Sequence, residues 1–263
     1  MSTAVIISGE ARSFAQTYAQ QRWTLFRHLD DPYFFVSIND DAQAADMDRL
    51  KADFKNVFIE RVTQPDLPEP EEFLKAALHA PYGNIVPLRS VLRQHWAHKR
   101  SWQWFKKCAG GLVNQFDTFV RVRPDSFFHR IHLPENVELE TVYTAWWGSY
   151  GGINDRFAWI TGQKAATIYF NLIDAIPQLV ADGCAFHPET LMGAWLDRAG
   201  VPISRTLDAE FTTKRIDGKP DTMPVYYASD IFRYMEKRLE PYDRLMEVLK
   251  RSKAAGAPGH GPG

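Results

Sequence analysis

Thr3-Ala4-Val5-Ile6-Ile7-Ser8 is a short run of β-branched and small apolar residues that stops at Gly9. It reads as a strand. A helical stretch follows from about Ser13 to His28, and Asp30-Asp31-Pro32 breaks it. Tyr33 to Ile38 (YFFVSI) reads as a buried strand, and Asn39-Asp40-Asp41 turns the chain into a polar helix that runs to about Asp53. Asn56 to Val62 (NVFIERV) is a third strand. Strands separated by helical spacers predict βαβ units. The expected fold is therefore α/β: one Rossmann-like domain whose mostly parallel, mixed central sheet is flanked by helices.

Further along, Gln64 to Glu72 is rich in proline and acid and reads as a mobile surface loop. Pro87 opens a long helix that closes near Gly110-Gly111, and Asp117 to Val122 (DTFVRV) is a fourth strand. Later strands are expected near Val142 to Trp146 and Arg156 to Thr161, then a helix from Gln163 towards Ala181, disturbed at Pro177. A short helix starts at Pro188, a β-rich stretch covers Ser204 to Ile216, and an amphipathic helix spans about Ser229 to Lys250. The Gly/Pro/Ala-rich end, residues 252–263, is expected to be disordered, which gives the domain residues 1–251.

With 263 residues, 45% of them hydrophobic, the chain can bury one sizeable core. Its 31 basic and 32 acidic side chains nearly cancel, which argues against nucleic acid as a partner. Cys108 and Cys184 read as reduced thiols, and no stretch has the character of a signal peptide or membrane span. A cytoplasmic protein is expected, with a peripheral contact at the inner face of the membrane left open.

The fourth strand runs straight into Arg123-Pro124-Asp125. In open α/β sheets ligands bind beyond the carboxyl ends of the strands, so Asp125 is either a ligand-facing carboxylate or ordinary turn chemistry. Such a carboxylate suits a divalent metal bridging a diphosphate. Ser8-Gly9 with Arg12 offers backbone N–H groups and a forked donor to phosphate, or else a plain helix entry. Only one glycine is present there, which counts against a dinucleotide fingerprint. Arg121 and Arg123 share a strand face, and their charge would help a departing diphosphate if that face is a cleft. The helix after Pro87 carries six cations and no acid through Lys107, which reads as a solvated face or a surface for an anionic donor or membrane. The histidine pairs His95/His98 and His129/His132 lack the further ligands of a zinc site. Trp146-Trp147 reads as core or as a sugar-stacking surface.

Four segments in order resemble bacterial and viral GT-A-type glycosyltransferases related to lipopolysaccharide-synthesis enzymes. Arg121-Val122-Arg123-Pro124-Asp125 is similar to their R-x-R-P-D segment, at the position of the Asp-x-Asp metal and donor motif. Ile6 to Arg12 resembles the first-strand loop that lies against the donor nucleotide, which implies Ser8, Gly9 and Arg12 as donor contacts. Asn154-Asp155-Arg156-Phe157 resembles the D-R-F segment, and His187-Pro188-Glu189 the H-x-E segment that opens a helix on the acceptor side. Asp40 ends the second strand, where such enzymes contact the nucleoside; an N-cap is its alternative role. Arg123 stands where the first acid of Asp-x-Asp would be, which leaves dependence on Mn²⁺ or Mg²⁺ at Asp125 open.

The resemblance implies transfer of a sugar from a nucleotide diphosphate sugar to a glycan or lipid-linked acceptor, in surface polysaccharide or lipopolysaccharide synthesis. An inverting transfer needs a base for the acceptor hydroxyl, and Glu189 and Asp155 are the two candidates, with Glu189 preferred. A sugar nucleotidyltransferase and a non-catalytic sugar- or nucleotide-binding protein are the alternatives.

Overall fold

A computed structural model describes residues 2–11, 13–40, 44–78 and 87–213. All of them fall within one compact unit, Met1–Val225. The helix expected over Ser229 to Lys250 and the tail 252–263 lie outside the described residues, as does Arg12.

Eight strands form one mixed sheet. They are β1 (Ser2–Gly9), β2 (Tyr33–Asn39), β3 (Val57–Val62), β4 (Phe116–Val122), β5 (Ser126–His132), β6 (Val142–Ala145), β7 (Phe157–Thr161) and β8 (Ile203–Thr213). Their spatial order is β3-β2-β1-β4-β7-β6-β8-β5. The four strands β3-β2-β1-β4 are parallel throughout. Beyond β4 the sheet turns mixed: β7 runs antiparallel to β4 and β6, β6 runs parallel to β8, and β5 closes the edge antiparallel to β8.

The helices are α1 (Phe14–Thr24), α2 (Ala44–Asp53), α3 (Glu71–Leu78), α4 (Leu88–Ala109), α5 (Gln163–Phe170), α6 (Ile176–Ala181) and α7 (Pro188–Arg198). They make two layers, because alternate residues of a strand face opposite sides. Ala4 and Ile6 of β1 enter a core with Val91, Leu92, Trp102 and Phe105 of α4. Val5 and Ile7 enter a second core with Phe14 and Tyr18 of α1 and Met47 and Leu50 of α2. Each fully buried Val, Ile or Phe contributes about 1.5–3 kcal/mol, so a strand buried on both faces anchors both layers.

Three expectations need correction. The stretch from Gln163 to Ala181 is not one helix disturbed at Pro177. It is α5, a 3-10 turn over Leu172–Asp174, and α6, whose first turn contains Pro177. A proline lacks the N–H that a first turn leaves unpaired anyway, so it opens a helix without penalty. The first helix stops at Thr24 and continues only as a 3-10 turn over Phe26–His28. The acid-rich loop after Gln64 ends at Pro70, because Glu71 and Glu72 already form the first turn of α3. Among the described residues no helix is long and apolar enough to cross a membrane.

Candidate functional site

The carboxyl ends of β1 and β4 lie side by side, with Ile7 level with Val122, which brings Ser8-Gly9 and Arg123-Pro124-Asp125 together. They border a cavity of about 560 Å³ that also receives Arg93, Gln94 and His98 from α4, Asp155 and Arg156 from the loop before β7, and Glu189 from α7. Gly9 adopts φ +118°, a conformation that side-chain-bearing residues rarely take, and so turns the strand end at the cavity wall.

The Arg123-Pro124-Asp125 turn is clamped from below by α1. Thr17, fully buried, donates its hydroxyl to the Pro124 carbonyl. The buried Gln21 amide lies 3.1, 3.2 and 2.7 Å from the carbonyls of Arg123, Pro124 and Ser126. A turn held through the carbonyls of Arg123 and Pro124 presents its side chains in a fixed direction.

Asp125 receives the Arg123 guanidinium in a two-pronged pair, Nε to Oδ1 at 2.8 Å and Nη2 to Oδ2 at 2.7 Å. Burial pushes the Asp125 carboxyl up, but the charge and hydrogen bonds of Arg123, with Arg121 behind it, hold it below the usual carboxylate range. This carboxylate is the candidate metal ligand, and both its oxygens already serve an arginine. No group of three or more His, Cys, Asp or Glu side chains is placed to hold a metal among the described residues. The donor set around Asp125 does not fit a divalent ion.

Arg121, two residues earlier, shares the face of Phe119 and is only 1% exposed. One Nη donates to the Arg156 carbonyl. The other lies 2.7 Å from Nε2 of His98. A guanidinium has no acceptor, so His98 must accept there, which puts its proton on Nδ1 and keeps the ring neutral. Burial first, and then the charge of Arg121, hold His98 well below the ordinary histidine value. The Nε of Arg121 has no hydrogen-bond partner among the described residues, nor has the Nε of Arg93. Of the four arginines lining the cavity, only Arg123 is ion-paired with an acid among the described residues.

The same cavity is lined by two buried acids, Asp155 and Glu189, 2% and 4% exposed. Backbone contacts fix their approach. Ile153 N–H donates to the Glu189 carbonyl at 3.1 Å, and Thr190 Oγ1 donates to the Tyr150 carbonyl at 2.8 Å. Gly152 packs so tightly on α7 that a Cβ there would sit 1.7 Å from the Glu189 carbonyl oxygen, and Gly193 faces Gly152 from the helix side. Asn154 bridges the same loop, donating to the Trp147 carbonyl at 2.9 Å and accepting from the Arg156 N–H at 3.0 Å. Gln94 turns its amide N–H to Oδ2 of Asp155. His187 Nδ1 lies 2.9 Å from Oε2 of Glu189. Burial raises the Glu189 carboxyl and the nearby Asp155 charge raises it further, against a partial offset from His187 and Arg156.

Of the residues singled out in the sequence, Ser8, Gly9, Arg123, Asp125, Asp155 and Glu189 line this one cavity. Asp40 does not line it. It is exposed at the end of β2, takes the Thr63 hydroxyl, and donates its backbone N–H to Val62. Arg12 lies outside the described residues. Trp147 is a core residue whose indole donates to the Ala209 carbonyl at 2.8 Å, so it offers no face to a sugar. Half of the basic face of α4 is matched: Arg89 pairs with Glu69 and Asp66, Lys99 with Asp174, and Arg100 with Glu60. His132 pairs with Asp208 on the β5–β8 surface, far from a zinc set. From sequence, Arg93 is one of six cations on a helix that could face an anionic donor, His98 is half of an incomplete metal pair, Arg156 belongs to the D-R-F-like segment, and Gln94 carries no role. Their signal, a polar stripe on α4 and an arginine after Asp155, is indistinguishable from surface until the cavity is seen.

No protein-family model matches the chain, and no curated protein shows significant similarity to it.

Proposed function

We propose that this chain is a GT-A-type glycosyltransferase that moves a sugar from a nucleotide diphosphate sugar to a glycan or lipid-linked acceptor. The observation that carries the reading is the division of one cavity. Arg121 and Arg123 stand at the carboxyl end of the parallel strand β4, and two buried acids line the same cavity from the loop before β7 and from α7. That division suits a reaction in which negative charge gathers on a leaving diphosphate while a proton leaves an attacking hydroxyl.

In an inverting transfer, the acceptor hydroxyl oxygen forms the new bond to the anomeric carbon as the bond from that carbon to the diphosphate oxygen breaks. Glu189 takes the hydroxyl proton, and the electron pair leaves with the diphosphate. A carboxylate raised towards neutrality is a better proton acceptor than an ordinary glutamate, and burial beside Asp155 raises Glu189 in that way. Asp155, oriented by Gln94, binds a sugar or acceptor hydroxyl. Asp125 fixes Arg123, and Ser8-Gly9 brings the donor close to the backbone. A role in surface polysaccharide or lipopolysaccharide synthesis, on the cytoplasmic side of a membrane, belongs to the same proposal.

A thermal-shift panel tests the assignment, because a ligand that binds only the native state raises its melting temperature. Nucleotide diphosphate sugars should raise it more than their free sugars do. No shift with any of them contradicts the reading. Release of pyrophosphate from a nucleoside triphosphate and a sugar phosphate would assign a nucleotidyltransferase instead.

A further inference from the structure

Arg121 poses a physical problem that the transfer reaction alone does not solve. It is a guanidinium 1% exposed, and among the described residues no carboxylate lies within ion-pair distance of it. Its two described partners, the Arg156 carbonyl and the ring of His98, are both neutral. A buried cation without a direct ion pair is costly, and the more distant charges of Asp155 and Asp125 offset the burial of Arg121 only in part. Its Nε is unpartnered and Arg121 lines the cavity, as does Arg93, whose Nε is also unpartnered. Arg156 lines it too and makes no direct ion pair with an acid among the described residues, though its charge reaches Glu189. The neighbouring Arg123, by contrast, is satisfied by Asp125.

We propose that Arg121 and Arg93 bind a diphosphate group directly, without a divalent cation, and that Asp125 serves Arg123 instead of a metal. Planar guanidinium groups match phosphate oxygens with paired charge-assisted hydrogen bonds. A phosphate oxygen at the cavity end of Arg121 would supply a direct ion pair, where the charges of Asp155 and Asp125 reach it only at longer range. His98 is a positioning residue. By accepting from one Nη it holds the guanidinium in place without neutralising it. The inference rests on the transferase reading for its choice of ligand, but not for its test.

The experiment is calorimetric titration of the full chain with inorganic pyrophosphate, once in EDTA and once with Mg²⁺. Binding in EDTA is expected, with an affinity within a few-fold of that in Mg²⁺. Arg93→Gln, at the half-buried end of the pair, should weaken binding at least tenfold. Arg121→Lys keeps the charge but loses the fork and should do the same; its circular dichroism spectrum and melting curve show whether it folds. Binding that appears only with Mg²⁺ overturns the proposal. So does binding in EDTA that both arginine variants leave unchanged, and so does no binding in either buffer. If pyrophosphate binds as expected but no nucleotide sugar is turned over, the anion site stands and the transferase reading falls.

Discussion

Both carboxylate oxygens of Asp125 accept from the single guanidinium of Arg123, at 2.8 and 2.7 Å. The pair sits on a turn whose carbonyls are held by Gln21 and Thr17, so neither side chain is free to swing out as a unit. Asp125→Ala leaves the Arg123 charge partly buried and unmatched, which costs roughly 1–3 kcal/mol. The sign with pH follows from the lowered carboxyl. The pair stabilises the fold fully above the unfolded value for aspartate, and that contribution is lost as pH falls through the lower folded value. Urea unfolding of wild type and Asp125→Ala at neutral and acid pH should show the gap between them narrowing as pH drops.

Gly152 and Glu189 are tied by steric closeness rather than by side-chain chemistry. A Cβ at Gly152 would lie 1.7 Å from the Glu189 carbonyl oxygen and 2.8 Å from the Thr190 Cα, and backbone atoms cannot yield as a flexible side chain can. Gly152→Ala should cost at least the roughly 1–3 kcal/mol of an overpacked core. It should also lower turnover further than the loss of folded protein explains, because the two acids lose their relative placement. Chemical denaturation combined with turnover per folded molecule checks this.

Glu189 acts as a base only when ionised, and burial beside Asp155 raises the pH at which it ionises. Turnover should therefore fall, as pH drops, along an acid limb placed above the ordinary glutamate value of 4.5. In Asp155→Asn the neighbouring charge is gone, so the limb should move to lower pH. A pH profile of kcat/KM in which the limb stays put would remove Asp155 from the pair.

His95 and His98 are buried and neutral, and His98 lines the cavity. Burial lowers His95 from 6.5 to about 4; Asp155 partly opposes the shift and Arg121 adds to it. The unfolded chain takes up a proton near 6.5 and the folded chain does not, so stability falls as pH drops from 6.5 towards 4. The window is worth roughly 3 kcal/mol for His95. Melting temperature against pH should be flatter over that interval in His95→Leu than in wild type.

The parallel half of the sheet was legible because its signals are local. Ala4 to Ile7, Phe34 to Ile38 and Phe119 to Val122 are mainly apolar runs, broken only at Ser37 and Arg121, and each is followed by a polar residue. β5 was not anticipated, since His129, Arg130 and His132 break its apolar pattern. It exists through pairing with β8, where Arg130 lies opposite Glu210. The alternation of Arg121 and Arg123 showed that they share a face. Which face borders a cavity depends on α4, whose His98 and Gln94 reach β4 and the β7 loop only in three dimensions. The clamp from Gln21 was invisible for the same reason, because a glutamine in a polar helix reads as solvated until its amide is seen against the Ser126 carbonyl. Asp155 and Glu189 were named as separate candidates, and their meeting depends on Gly152 and Gly193 letting two backbones touch.

Sugar transfer is tested by release of nucleoside diphosphate from a panel of nucleotide sugars, with wild type and Glu189→Gln side by side. Transfer with Glu189 as base predicts that at least one donor is turned over and that Glu189→Gln lowers its rate by roughly 10²–10⁴-fold. It also predicts that the variant still binds the donor, since the arginine end of the cavity is untouched. Wild-type turnover in Glu189→Gln, or no diphosphate released from any donor in the presence of glycan and lipid-linked acceptors, would contradict it.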